Sequence, residues 1–383
     1  MKILYFKSIG LLFLGFSILS CQNGSSESKD TQEEYKEPET TEFTLKEIDS
    51  PVENPWGITW IDKSTALITE RSGKIFILKE DQVIDSITGI PSPFLKGQSG
   101  YLDIKAHPEY PEKPWVYLTY SKKSGSGGST TLARFQLSGN KATNWEDLYQ
   151  TMPITDAGVH FGSRIIFDND GYLFFSTGER GVKENAQDLT NDMGKIHRLY
   201  EDGSIPEDNP FVETPNAKKS IWTYGNRNVQ GMAYDSQNNI IYATEHGPKG
   251  GDELNVIQKG ANYGWPEITY GIDYDGSIIS DLEEKEGLEL PIHYWVPSIA
   301  TCGLLFYTGD KYPEWKNNLF SGALAGMHVA RITIENGEVV NEEKLLVDQG
   351  RVRQVAESPE GYIYVLLEGP GQILKLEPAT KSE

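Results

Sequence analysis

Three features of this 383-residue sequence predict an all-β fold, a six-bladed β-propeller with four-stranded antiparallel blades. First, short apolar-alternating runs recur from Phe43 onward, separated by turn signals. Several share one order of parts: an apolar strand, a D-x-D-G, P-E-G or S-x-N-N turn, then an aromatic strand. That order is a hairpin signature. Second, the runs return at roughly 50 to 65 residues, the length of a four-stranded blade. Third, no long apolar stretch of period 3.6 follows the N-terminal segment, so helices should be few and short. About 340 folded residues at roughly 55 per blade give about six blades.

The individual runs follow this grammar at 66–78, 115–121, 163–178, 231–245 and 354–368. The D-N-D-G at 168–171 lies inside one of them and has no glutamate at loop position 12, so it reads as a hairpin turn rather than a calcium loop. The run at 41–48 is expected to complete the last blade beside 373–378, which would close the ring and protect the sheet edges. A propeller domain is therefore expected over 42–383.

Composition agrees and narrows function. Apolar residues make up 38% and aromatics 11%, with 38 Gly and 20 Pro to supply turns. The formal net charge of −21 repels phosphate backbones, which argues against a nucleic-acid partner. The sequence has no G-x-G-x-x-G, P-loop, C-x-x-C or G-x-S-x-G, so nicotinamide chemistry on a Rossmann unit has no support.

The N-terminus reads as an export signal. Two lysines precede an apolar run that ends in I-L-S-C, and Cys21 looks like a lipobox cysteine. Residues 1–21 are then a lipoprotein signal peptide, and the acidic, apolar-poor 22–41 is a disordered linker. This predicts an exported bacterial lipoprotein at the periplasmic face of the envelope or the cell surface, touching the membrane only through its lipid. The other reading is a plain signal peptide with a chance cysteine. With Cys21 lipidated, Cys302 is alone and no disulfide is expected. Cys21→Ser is expected to release the protein or block its maturation; unchanged membrane fractionation with no loss of lipid label would exclude the anchor.

The densest chemistry lies at 244–265, T-E-H-G-P-K-G-G-D-E-L-N-V-I-Q-K-G-A-N-Y-G-W. It groups glycines that permit close backbone approach with the adjacent carboxylates Asp252 and Glu253, a set that suits a hard cation. Y-G-N-R-N-V-Q-G just upstream adds a cation and two amides. His160, in A-G-V-H-F-G-S-R before an inner strand, is placed to act as a general base, or else is a loop histidine that merely hydrogen-bonds. Arg351 and Arg353 at i and i+2 share a strand face, suiting a polycarboxylate ligand or forming a solvated surface pair. Gln98 adds an amide in a Gly-flanked loop, and His246 is expected to be structural.

Taken in order, N-P-W-G-I, G-Q-S-G-Y-L-D, H-F-G-S-R, A-Q-D-L, G-K-I-H-R-L, I-P-E-D-N-P-F, Y-G-N-R-N-V-Q-G, E-H-G-P-K-G-G-D-E-L-N, K-G-x-N-Y-G-W-P and R-V-R resemble the soluble quinoprotein sugar dehydrogenases. The similarity is to the aldose sugar dehydrogenase branch of the glucose/sorbosone dehydrogenase family, over about residues 50–378. The resemblance implies pyrroloquinoline quinone (PQQ) and Ca²⁺ as cofactors, an aldose substrate, an external electron acceptor and a lactone product. It implies His160 as general base and Arg227 as the cation that stabilises charge on the quinone oxygen. It implies Gln98, Asn228, Tyr274, Arg351 and Arg353 as further cofactor contacts. Carbonyls of Gly247 and Pro248 would ligate one calcium, and Glu253 and Tyr263 a second, structural one. One departure stands out: S-G-A-L-A-G-M-H-V places Ala325 where the family has a lysine. That implies weaker cofactor binding, an altered substrate range or loss of the cofactor, with His328 the neighbouring candidate to substitute. Two other functions fit the fold: a non-catalytic surface propeller that binds glycan or protein, and a calcium-dependent lactonase with a carboxylate-rich metal centre.

Overall fold

Turns form where the sequence supplies residues for them. In D-N-D-G, Gly171 takes the left-handed φ of 80°, and Asp168 Oδ1 accepts the backbone N–H of Asp170 at 3.0 Å and of Tyr172 at 2.8 Å. The turn joins strands Ile165–Phe167 and Leu173–Thr177 as a hairpin. The structure, a computed structural model, describes residues 42–369 and 371–379. Cys21, the signal segment and the 22–41 linker lie outside the described residues.

The described residues form six four-stranded antiparallel sheets, as predicted. Their innermost strands are Pro55–Trp60, Tyr101–Ala106, Ile165–Phe167, Val229–Asp235, Thr301–Phe306 and Arg351–Glu357, and each touches the next around a closed ring. The N-terminal strand Phe43–Ile48 pairs with the C-terminal strand Gln372–Pro378, from Phe43 opposite Pro378 to Ile48 opposite Ile373. Sequence-distant ends thus complete the last blade and close the ring, with Phe43–Ile48 as the outer strand of that blade. The described helical segments are two short 3₁₀ turns, Lys183–Ala186 and Pro313–Trp315. None of the described helices is long and apolar enough to cross a membrane.

A separate apolar cluster fills each of the six blade junctions. Ile68, Leu366 and Ile373, for example, are fully buried between the first and last blades. Full burial of such a side chain contributes roughly 1.5–3 kcal/mol. The axis is polar and tied by one side chain. Arg164, on the third blade, pairs with Asp103 at 3.2 Å, donates to the carbonyls of Gln230 at 2.6 Å and Arg353 at 3.0 Å, and reaches Cys302 Sγ at 3.6 Å. Its guanidinium also lies 4.0 Å from the Trp56 ring centre, so one residue touches all six blades. A buried cation is tolerated only when its N–H groups are satisfied in this way.

Candidate functional site

At one end of the axis, the entries to the inner strands enclose a cavity of about 240 Å³. Trp56, Leu102 and Phe161 form its apolar wall, while Gln98, Asn228, Gln230, His246, Arg351 and Arg353 supply polar atoms. Further along the same strands, Asp103 and Arg164 line a wider cavity of about 590 Å³.

His160 sits at the rim of the smaller cavity, beside the lining residues Phe161 and Gly162. Its backbone is left-handed, φ 52°, and its N–H donates to Gln98 Oε1 at 2.8 Å. The strained turn is pressed against Gly178: a Cβ there would lie 2.4 Å from the His160 carbonyl oxygen. His160 Nδ1 meets Glu179 Oε2 at 2.5 Å, and Glu179 is 2% exposed. The carboxylate is itself held by the Gly181 N–H at 2.9 Å, and the Glu179 N–H donates to the Arg227 carbonyl at 2.9 Å. Next to it, buried Arg180 donates to the carbonyls of Val159 and Ala157 and stacks on Phe161 at 3.5 Å. The loop that carries His160 is therefore clamped from both sides. Donating Nδ1–H to Glu179 leaves Nε2 as the free acceptor.

Asn228 Oδ1 accepts the Gly162 N–H at 3.1 Å, which fixes the turn after His160. Arg227 points the other way. Its Nη1 donates to the carbonyls of His246 and Gly247, both at 3.0 Å, and its guanidinium lies 5.3 Å from the Trp265 ring. Gly247 admits no side chain, because a Cβ would meet the Gly250 oxygen at 2.1 Å. Pro248 is buried beside it. His246, expected to be structural, lines the cavity, and its Nε2 is buried without a hydrogen-bond partner. Burial, with Arg227 and Arg353 nearby, pushes its pKa down to about 3, so the ring is neutral.

The carboxylates that meet are not the adjacent Asp252 and Glu253. Neighbours on a strand point to opposite faces. Asp252 turns to accept the Gly247 N–H at 2.9 Å and the Ser298 hydroxyl at 2.8 Å. Glu253 instead lies directly across the hairpin from Glu245. Burial raises both carboxyls, Glu245 to about 7, and the nearby Glu245 charge raises Glu253 further. Asn255 donates to Glu253 at 3.1 Å, yet its Oδ1 is buried without a partner. A void of about 10 Å³, room for one water or ion, is lined by Glu245, Glu253, Gly247 and Tyr263. The Tyr263 hydroxyl is occupied, donating to the Val256 carbonyl at 2.7 Å, which leaves its own carbonyl oxygen as the atom that could meet a cation. Among the described residues no three His, Cys, Asp or Glu side chains converge to hold a metal, so a cation here would need carbonyl oxygens as well.

Arg351 and Arg353 reach the same cavity at different depths, because a bulge interrupts their strand between Val352 and Gln354. Arg353 is buried and pairs with Glu368 through Nε at 2.7 Å, and with Gln230 Oε1 at 2.8 Å. Arg351 is half exposed, 3.7 Å from Glu368, and donates to the Leu324 carbonyl at 3.2 Å. Glu368, Glu179, Glu245 and Arg71 are site residues that motif reading missed. Tyr274 is 66% exposed and is not among the residues lining either the cavity or the void. Ala325 is exposed and presents no charge. His328 is buried, with Nδ1 on the Gly326 carbonyl at 2.8 Å and Nε2 without a hydrogen-bond partner, and it is not among the residues lining the cavity.

The Glucose / Sorbosone dehydrogenase family model matches residues 52–375. The chain is 38% identical over 340 residues to aldose sugar dehydrogenase YliI of Escherichia coli, covering 86% of this chain and 92% of that protein. The crystal structure of the soluble E. coli aldose sugar dehydrogenase in its apo form superposes with a TM-score of 0.85 at 36% identity, over 88% of this chain and all of that one. The PQQ-bound aldose sugar dehydrogenase from Streptomyces coelicolor gives a TM-score of 0.72 at 25% identity, over 88% and 99% of the two chains.

Proposed function

The chain belongs to the glucose/sorbosone dehydrogenase family, and on that premise we propose that it is a quinoprotein that oxidises aldose sugars at C1 to lactones, with PQQ and Ca²⁺ as cofactors. The observation that supports this most is the Glu179-oriented His160 at the rim of a cavity lined by Arg71, Arg351 and Arg353. A neutral sugar has no need of a cluster of guanidiniums around its pocket; a planar tricarboxylate does. Three of them facing one carboxylate, Glu368, in a protein of net charge −21 make a local anion site.

The residues fit the cofactors chemically. Gln98, Asn228 and the arginines would hold PQQ, with the unpartnered His246 Nε2 facing the same space. The carbonyls of Gly247 and Pro248 would ligate a calcium beside it, and Glu253 with Glu245 and the Tyr263 carbonyl would ligate a second. When bound, PQQ would supply the quinone that accepts hydride from the sugar. His160 Nε2 takes the C1 hydroxyl proton, while Glu179 holds Nδ1–H and stabilises the imidazolium that results. Arg227 lines the small void behind the cavity, and its fixed positive charge would act from there on negative charge developing on oxygen. The aldehyde-level carbon leaves as a lactone, and its two electrons pass to an external acceptor. We further place the protein on the membrane through a lipid on Cys21.

The exposed Ala325 favours one other reading, a propeller that binds glycan or protein without catalysis. Reconstitution with PQQ and CaCl₂ separates the two. The enzyme reading expects aldose-dependent dye reduction; the other expects none with any aldose.

A further inference from the structure

Four of the five N–H groups of Arg353 are already spent inside the protein. Nε and Nη2 pair with Glu368, and Nη1 serves both Gln230 Oε1 at 2.8 Å and Cys302 Sγ at 3.0 Å. Such a group positions its neighbours but has little left to offer a ligand. Arg71 is the opposite case. It follows the strand Thr65–Glu70 at the turn facing the same cavity, is half-buried, and lines that cavity. Its backbone is fixed: the Arg71 N–H donates to Asn54 at 3.1 Å, and its carbonyl accepts from Tyr101 at 3.2 Å. Its guanidinium makes no hydrogen bond or ion pair among the described residues, although its charge reaches Glu368.

A half-buried guanidinium with no protein partner, held toward a cavity that already contains two others, keeps its N–H groups available for an anion. Glu368 cannot serve, since it is shared between Arg353 and Arg351. We infer that Arg71 and Arg351 form the carboxylate-binding pair of this cavity, and that Arg353, locked by Glu368, is a positioning residue. The ligand class is a planar aromatic polycarboxylate. This rests on the reading of the cavity as the PQQ site and assigns a contact by a residue outside the R-V-R pair.

The test is a binding titration, by calorimetry, of wild type and Arg71→Met with PQQ plus CaCl₂, and in parallel with benzene-1,3,5-tricarboxylate. Losing one charge-assisted pair weakens binding by roughly ten- to a hundredfold. Arg71→Met should show that loss for both ligands, Arg71→Lys a smaller one, and the wild-type affinity should fall steeply with added salt. Melting of ligand-free Arg71→Met should be unchanged or raised, since the side chain supports nothing else. Equal affinities of wild type and Arg71→Met for whichever probe binds would overturn the assignment, as would binding of neither probe. If the wild type binds the tricarboxylate but not PQQ, and Arg71→Met loses it, the subsite stands and the PQQ reading falls.

Discussion

His160→Ala is expected to lower aldose turnover by roughly 10²- to 10⁴-fold, the usual contribution of a positioned general base, while PQQ affinity stays near wild type. The separation follows from the geometry. His160 stands at the rim, and its ring is bonded to Glu179 rather than to any of the arginines that line the cavity. Glu179→Gln keeps the shape but replaces a carboxylate by an amide that can present N–H to Nδ1. That would favour the wrong tautomer and place the proton on Nε2. Turnover should drop by a similar order, with PQQ affinity again near wild type. A loss confined to turnover, with cofactor binding and melting kept, is the readout that separates orientation from mere packing. Wild-type turnover in His160→Ala would remove the residue from the mechanism.

The second large effect concerns the buried Glu245–Glu253 pair. Their carboxyls titrate higher in the folded protein than in the unfolded chain, so the fold holds protons that the unfolded chain has lost from about pH 4.5 upward. With more protons on the native state, calcium-free stability must fall as pH rises through that window, toward and beyond about 7 for Glu245. A bound Ca²⁺ removes the repulsion and holds both groups ionised. Calcium should therefore raise the melting temperature more at pH 8 than at pH 5. A hundredfold excess over Kd corresponds to about 2.7 kcal/mol. Glu253→Gln should make the calcium-free protein less sensitive to pH and should blunt the response to Ca²⁺. A calcium-dependent melting shift identical in mutant and wild type would take Glu253 off the list of ligands.

The fold was legible because its signals are local. D-N-D-G, P-E-G and the Asn-rich turns dictate hairpins whatever lies elsewhere in the chain, and Gly171, Gly361 and Asn239 take the left-handed backbone those turns require. The closure of the last blade was also readable, since an edge strand at each terminus leaves few other solutions. The site was legible only where motifs are contiguous. Glu179 lies nineteen residues from His160 and meets it because Gly178 lets two loops touch, a contact no spacing rule encodes. Glu245 and Glu368 could have been found by counting hairpin register, which sets Glu245 opposite Glu253 and Glu368 opposite Arg351. The same alternation along the strand sends Asp252 to the other face from Glu253. Arg71 carries no motif-level signal in isolation, and its significance depends on which partners it lacks.

Redox chemistry on a bound quinone can be followed directly, without an external acceptor. Protein loaded with PQQ and CaCl₂ is mixed anaerobically with excess aldose while the absorbance of the bound cofactor is followed. The predicted result is a single-turnover change of one equivalent per bound PQQ, fast in wild type and slowed by roughly 10²-fold or more in His160→Ala. Saturable PQQ binding with no aldose-dependent change for any sugar, or no binding at high micromolar PQQ, would contradict it and leave a propeller that binds without catalysis.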